Sequence, residues 1–214
     1  MKNKFVFITL VILLITMSMA AQKTNTFTDS RDKKTYKTVV IGTQTWMAEN
    51  LAYKAESGCY AYNDDQNNVV IYGYLYKWET AKNVCPSGWH LPNDAEWNTL
   101  IDFLGGGSAA SGKLKESDTT HWTSSDKSVT NETGFTALPG GNLGSNGTYH
   151  SIRNNGGWWS STENDVNSAW YRNISSKYNV SRYSTYKTNG FSVRCISDNK
   201  SNDDDNQPKK NIRK

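Results

Sequence analysis

Uninterrupted apolar runs of membrane-spanning length are missing from this 214-residue sequence. The one mainly apolar run, Phe5 to Ile15, falls short of the ~20 residues that a bilayer-crossing helix needs. It follows Lys2 and Lys4 and leads to the small residues Ser18, Ala20 and Ala21, the three-part layout of a secretory signal. Residues 1–21 are therefore expected to be a signal peptide, cleaved after Ala20 or Ala21. No Cys stands at that junction to take a lipid. The expected product is secreted, periplasmic or held at the cell surface, with no stable membrane span.

Charge of one sign is equally scarce. The net charge of +4 falls to +2 once Lys2 and Lys4 are removed, and the remaining Lys and Arg residues are spread among acids. Without a basic stripe interleaved with aromatics there is no footprint for nucleic acid. Histidines are few: His90, His121 and His150 stand far apart, with no Cys or carboxylate at helical or hairpin spacing. Neither a metal site nor a cofactor is expected. His90, next to Leu91-Pro92, is read as structural, its ring bonded to the backbone. Nucleophile elbows of the G-x-S-x-G type are absent, and Glu49, Glu96 and Glu163 offer no pair for acid–base work. Gly107 to Lys113 spells G-x-x-x-x-G-K, but Leu114 stands where Ser or Thr should hold magnesium, and the segment follows a helix pattern where a strand is required. The chain is read as a non-enzyme with no catalytic residues.

Cysteine is down to 3 residues, an odd number for an oxidising compartment. Cys85 and Cys195, at the end of a helix pattern and in the last strand pattern, are the expected disulfide. Cys59 is left over, either buried and inert or reactive toward a partner. What the sequence has in abundance is aromatic rings, 8 Trp and 12 Tyr among them. With few aliphatics beside them, those rings must fill much of the core. Between the signal and the tail about 160 residues remain, the size of one domain.

Along the chain, residues 22–35 are polar and aperiodic and read as a linker. Tyr36 to Ile41 is a β-branched run, turned by Gly42 and Thr43 into Gln44 to Glu49, a second extended piece. The Asn- and Asp-rich stretch from Cys59 to Asn68 reads as a solvated loop without EF-hand spacing. Tyr74, Trp78, Ala81 and Cys85 form one apolar stripe at helical spacing, ended by Pro86. A second helix is announced by a capping box, Asn93 with Glu96, and by Trp97, Leu100, Ile101 and Leu104 on its buried face. Gly105 to Gly107 are expected to stop it. Short extended pieces then follow: Phe135–Leu138, Thr148–Ile152, Gly157–Ser161, Ala169–Ser175, Tyr178–Ser184 and Phe191–Ile196. Two helices with several short, mainly antiparallel strands make an α+β domain over residues 36–197. Residues 198–214 mix Asp203 to Asp205 with Lys209, Lys210, Arg213 and Lys214 and read as a disordered charged tail.

Six ordered segments resemble one bacterial extracellular family, the Fibrobacter succinogenes major paralogous domain. They are GTQTWMAENL (Gly42–Leu51), YGYLYKWETA (Tyr72–Ala81), CPSGWHLPNDAEW (Cys85–Trp97), LPGG (Leu138–Gly141), GGWWSSTE (Gly156–Glu163) and GFSVRC (Gly190–Cys195). That family is similar to the wider C-type-lectin-like group, which includes the formylglycine-generating enzymes. The resemblance implies a single C-type-lectin-like domain in which a helix-ending Cys pairs with a final-strand Cys, the places held by Cys85 and Cys195. Relatives often carry a further Cys shortly before the YG motif, where this chain has Val69. The E-P-N or Q-P-D loop and W-N-D strand of calcium-dependent lectins are not found, and of the late cysteine pair used by formylglycine-generating enzymes only Cys195 is present. Neither calcium-mediated sugar binding nor that oxidation carries over.

The reading for function is an extracellular ligand-binding or adhesion module for an unidentified glycan or protein, with an enzyme of unknown reaction on a formylglycine-generating-enzyme-like fold, or a passive surface-structural protein, as the alternatives. The candidate residues are Trp159 and, in the Tyr/Asn/Ser/Arg-rich stretch Asn164–Asn189 where Trp170 also stands, Tyr171, Arg172, Tyr178, Arg182, Tyr183 and Tyr186. Rigid aromatic area beside adaptable hydrogen bonding is the chemistry of antibody paratopes. Trp158 and Trp159 are adjacent, so period-2 alternation expects at most one of them to be buried.

Overall fold

A computed structural model describes residues 24–123, 128–175 and 179–199. The expected signal, most of the expected charged tail and Tyr178 lie outside the described residues.

The first three strands form a meander: β1 (Thr24–Thr28), β2 (Thr35–Ile41) and β3 (Gln44–Met47), each antiparallel to the next. Gly42 makes the tight β2–β3 turn at φ 58°, a left-handed conformation that a Cβ disfavours. The linker expected over residues 22–35 is thereby corrected, because Thr24–Thr28 is an edge strand. Its side chains are mostly exposed, so it carries no alternating apolar signal. Backbone pairing along five residues of β2 holds it, and Phe27 packs on Trp89 with ring centroids 5.1 Å apart.

Next come β4 (Cys59–Tyr60), α1 (Gln66–Tyr72), β5 (Leu75–Lys77), the single turn α2 (Trp78–Ala81) and β6 (Trp89–His90). Two helices follow, α3 (Asp94–Phe103) and α4 (Gly107–Leu114), and then β7 (Asn142–Leu143) and β8 (Tyr149–His150). The chain closes with β9 (Asn155–Glu163), β10 (Ser168–Ser175), β11 (Ser181–Tyr186), β12 (Gly190–Ser192) and β13 (Ile196–Ser197). One sheet runs β1-β2-β3-β13-β6. The larger runs β11-β10-β9-β12-β5-β4, with β7 on β12 and β8 on β7. Within these ladders only the β9–β12 contact is parallel, and the architecture is α+β.

Three helix expectations change. The stripe from Tyr74 to Cys85 is not one helix, because the Leu75–Lys77 backbone pairs with β4 on one side and β12 on the other. Leu75 and Tyr76 are as buried as the stripe residues, so cross-strand pairing overrides the 3.6-residue pattern. Within the expected loop from Cys59 to Asn68, the Asp65 carboxylate accepts from the Asn67 N–H at 2.9 Å and caps α1. Gly105 and Gly106, both at positive φ, end α3 as expected, but the chain then enters a further helix, α4, which was not expected. The G-x-x-x-x-G-K segment is therefore helix α4. By contrast α3 has its expected reciprocal capping box between Asn93 and Glu96, and Trp97, Leu100 and Leu104 are buried.

Among the late strands, Phe135–Leu138 contributes only an isolated bridge, Ala137 to Lys115. The expected strand Phe191–Ile196 is cut in two. β12 belongs to the larger sheet and β13 to the smaller, so the chain crosses between sheets at residues 193–195. Cys195 lies in that crossing and is bonded to Cys85.

The two sheets and the helices α3 and α4 leave β9 covered on both faces. Trp159 enters one core with Tyr36, Met47, Tyr76, Trp78 and Phe191. Trp158 enters the other with Trp46, Trp97, Phe135 and Ile174. Both tryptophans are fully buried, which corrects the expectation that at most one would be. Each also satisfies its indole N–H: Trp158 donates to Asn50 Oδ1 at 2.8 Å and Trp159 to the Tyr76 carbonyl at 2.7 Å.

Candidate ligand-binding face

The β10–β11 hairpin carries most of the candidate residues, and its register sorts them. Arg172 faces Arg182, Tyr171 faces Tyr183, Trp170 faces Ser184 and Ser168 faces Tyr186. Directly opposed residues share a face and neighbours along a strand do not. Tyr171 and Tyr183 therefore lie on one side of the sheet, whereas Trp170, Arg172, Arg182, Ser184 and Tyr186 lie on the other.

On the first side Tyr171 stacks on Phe191 at 4.4 Å and meets Trp159 edge-on at 6.3 Å. Burial raises its phenol pKa, with Tyr183 adding to the shift. Tyr171 is a core-packing residue. Trp159 has no surface to offer a ligand. Of this group Tyr183, 52% exposed, is the most open to solvent, whereas Tyr171 is half-buried.

On the second side the two arginines differ. Arg172 is 1% exposed. Its Nη1 donates to Asp94 Oδ1 at 2.8 Å and its Nη2 to Asn98 Oδ1 at 2.8 Å. Burial lowers the pKa of this guanidinium, and the Asp94 carboxylate acts against that. Arg172 thus pins α3 to the sheet, which corrects its assignment as a ligand contact. Trp159 and Arg172 were misplaced for one reason: alternation divides a strand into two faces but does not say that both are covered. Arg182 instead lies at the surface, its Nε donating to the other Asp94 oxygen at 2.5 Å and its Cζ 3.2 Å above the Trp170 ring. Tyr186 is 63% exposed.

Beyond Ser184 the face opens into a groove of about 490 Å³ lined by the β9–β10 connection, notably Asn164, Asp165, Val166 and Asn167, and by Tyr186. Asp165 shapes this connection by accepting from Ser168 Oγ at 2.6 Å, from the Asn167 and Ser168 N–H groups, and from Asn164 Nδ2. These bonds, the Ser168 hydroxyl first, hold its carboxyl pKa low. Trp170, Ser184 and the residue 164–167 connection all fall within the candidate stretch Asn164–Asn189 and complete this face. Of these Ser184 was not singled out, and its i, i+2, i+4 spacing with Arg182 and Tyr186 was the available signal for it.

The other polar clusters lie elsewhere. His90 does not bond the backbone as expected: Nε2 meets Glu96 Oε1 at 2.8 Å and Nδ1 meets Asp198 Oδ1 at 2.5 Å. Partial burial opposes the imidazolium, but the bonds to Glu96 and Asp198 together outweigh it and raise the pKa. A raised folded pKa means that this clasp contributes fully below the unfolded value of ~6.5 and is lost as pH climbs through the folded value. The protection factors of the Ser197 and Asp198 amides, which remove the intrinsic base-catalysed rise of exchange, should therefore fall from pH 6 to pH 9, and H90Q should remove that fall. Equal protection factors at both pH values would refute the clasp. Cys59 is half-buried and unbridged, its thiol donating to the Ala55 carbonyl at 3.2 Å and its pKa raised by burial. Among the described residues no three His, Cys, Asp or Glu side chains converge as metal ligands would. Among them, too, no helix is long and apolar enough to cross a membrane.

The sequence model described as the Fibrobacter succinogenes major domain matches residues 39–197. No curated protein and no solved structure matches the chain.

Proposed function

The chain belongs to the Fibrobacter succinogenes major domain family, and from that premise we propose that it is an exported, non-catalytic recognition module. Its ligand is a glycan or a protein bound on the outer face of β11. The observation that carries this reading is the row Arg182, Ser184 and Tyr186 on an edge strand, beside Trp170 and continuous with the groove at residues 164–167. Large amphipathic rings and short hydrogen-bonding side chains on a rigid hairpin are suited to binding, because little conformational entropy is lost when a ligand docks. Export is supported by the N-terminal residue pattern and by the Cys85–Cys195 bridge, which suits an oxidising compartment. The C-type-lectin-like resemblance supports recognition over catalysis, since the residues that would oxidise a substrate are missing from its cysteine pattern.

The test is an unbiased glycan and protein array probed with the secreted chain, beside Y186A and Y171A. Tyr186 is exposed, so its loss should change stability within about 0.5 kcal/mol while removing most of the array signal. Y171A should instead cost on the order of 2 kcal/mol or more through lost packing. A signal unchanged in Y186A would move the binding surface away from this face.

A further inference from the structure

We propose that the Arg182 guanidinium, held over the Trp170 ring, is a receptor for the acidic group of a carboxylated or sulfated polysaccharide. This rests on the reading of the β11 face as a binding surface and names the chemistry that the surface selects.

Two contacts hold the guanidinium. Its Cζ lies 3.2 Å from the Trp170 ring centroid, and its Nε donates to Asp94 Oδ2. Asp94 is itself fixed, because its other oxygen takes Nη1 of the buried Arg172. Within its described contacts Arg182 uses only Nε, so both terminal nitrogens remain open on a side chain that is 43% exposed. Two parallel N–H donors at fixed spacing match the two oxygens of a carboxylate or the oxygens of a sulfate. The local charge favours an anion as well, since two guanidiniums share the single Asp94 carboxylate.

The rest of the face sets the direction in which a ligand lies. Arg182 and Tyr186 are four residues apart on one face of β11, about 13 Å at the usual strand rise. At the Tyr186 end the groove holds the Asp165 carboxylate, whose negative charge repels an anion. An acidic sugar would therefore place its anionic group at Arg182 and its neutral, hydroxyl-rich units toward Tyr186 and Asn167. An acidic peptide would meet the same Arg but has fewer hydroxyl donors to give the groove, so the polysaccharide is the better match.

The experiment is affinity electrophoresis of the full exported chain through gels containing polygalacturonate, dextran sulfate or uncharged dextran, with an acidic polypeptide, polyglutamate, as a further arm. The wild type should be retarded by polygalacturonate or dextran sulfate, and the pair distinguishes carboxylate from sulfate. R182Q should weaken that binding about tenfold or more, and R182K should restore little, because Lys keeps the charge but loses the two-pronged fork of donors. Melting temperatures of the variants should stay near that of the wild type, since Arg182 is exposed. Retardation by either acidic polysaccharide that is unchanged in R182Q overturns the proposal, as does binding to polyglutamate alone. Selective binding to uncharged dextran, or to neutral glycans on the array, overturns it while leaving the β11 recognition face standing. Absence of any glycan or protein ligand at that face removes both.

Discussion

Replacing Cys85 and Cys195 together by Ala should destabilise the domain by about 4–5 kcal/mol. The bridge spans 110 residues, and in the chain-entropy model closing a loop of roughly that size in the unfolded chain is worth about 4.7 kcal/mol. Its position adds to the effect. Cys195 is fully buried where the chain crosses from β12 in one sheet to β13 in the other, and Cys85 lies just after α2. The bridge thus fastens the helical turn to the only stretch that joins the two sheets in this late part of the chain. For a domain of this size each kcal/mol moves the melting temperature by roughly 2–4 °C, so a fall on the order of 10–15 °C is expected. Thermal unfolding of the purified double variant measures it, with Cys59 as the internal control. Non-reducing peptide mapping of the wild type should return one Cys85–Cys195 peptide and a reduced Cys59. A fall of under about 2 °C would mean that the two-sheet core holds the crossing without help.

What could be read from the sequence was what local chemistry decides. The Asn93–Glu96 capping box needs only four residues to specify a helix start, and α3 begins where that box says. The β2–β3 turn is likewise local, since Gly42 supplies the left-handed backbone. Strand β1 was not legible, because Phe27 is its one partly buried residue and its order comes from pairing with β2. Nor was the break between Tyr74 and Trp78. There the helical spacing is real, but one neighbouring strand, β12, lies far along the chain, and the nearer one, β4, is a two-residue piece in a stretch that reads as a loop. The candidate site fared the same way. Alternation along β10 separates Tyr171 from Arg172, yet only the tertiary structure reveals that Phe191 covers one and Asp94 the other. Arg182 and Tyr186 stay at the surface because β11 is the edge strand, a property of topology that no single segment encodes.

The second large effect should follow from N50A, because one buried amide holds three elements together. Asn50 Nδ2 donates to the Tyr72 carbonyl at 2.8 Å, while its Oδ1 accepts from Trp158 Nε1 at 2.8 Å and from Arg194 Nη2 at 2.9 Å. Arg194 is completely buried. Its remaining described acceptors are the carbonyls of Phe135 and Thr136, and its Cζ lies 4.1 Å from the Phe135 ring centroid. Burial pulls its pKa down and the charge of Glu49 pulls it back up, but a guanidinium stays protonated at neutral pH. Truncating Asn50 therefore leaves a buried cation short of an acceptor and an indole N–H without one. Removing one partner of such an arrangement costs roughly 3–5 kcal/mol, more than the arrangement itself contributes. The R194M change removes the cation while keeping an apolar chain against Phe135 and Trp158. N50A combined with R194M should consequently be several kcal/mol less damaging than the two single losses added together. Urea unfolding of the four proteins in this cycle measures the coupling. Additive losses would mean that Arg194 draws its support from the carbonyls alone and that Asn50 acts only through Trp158 and Tyr72.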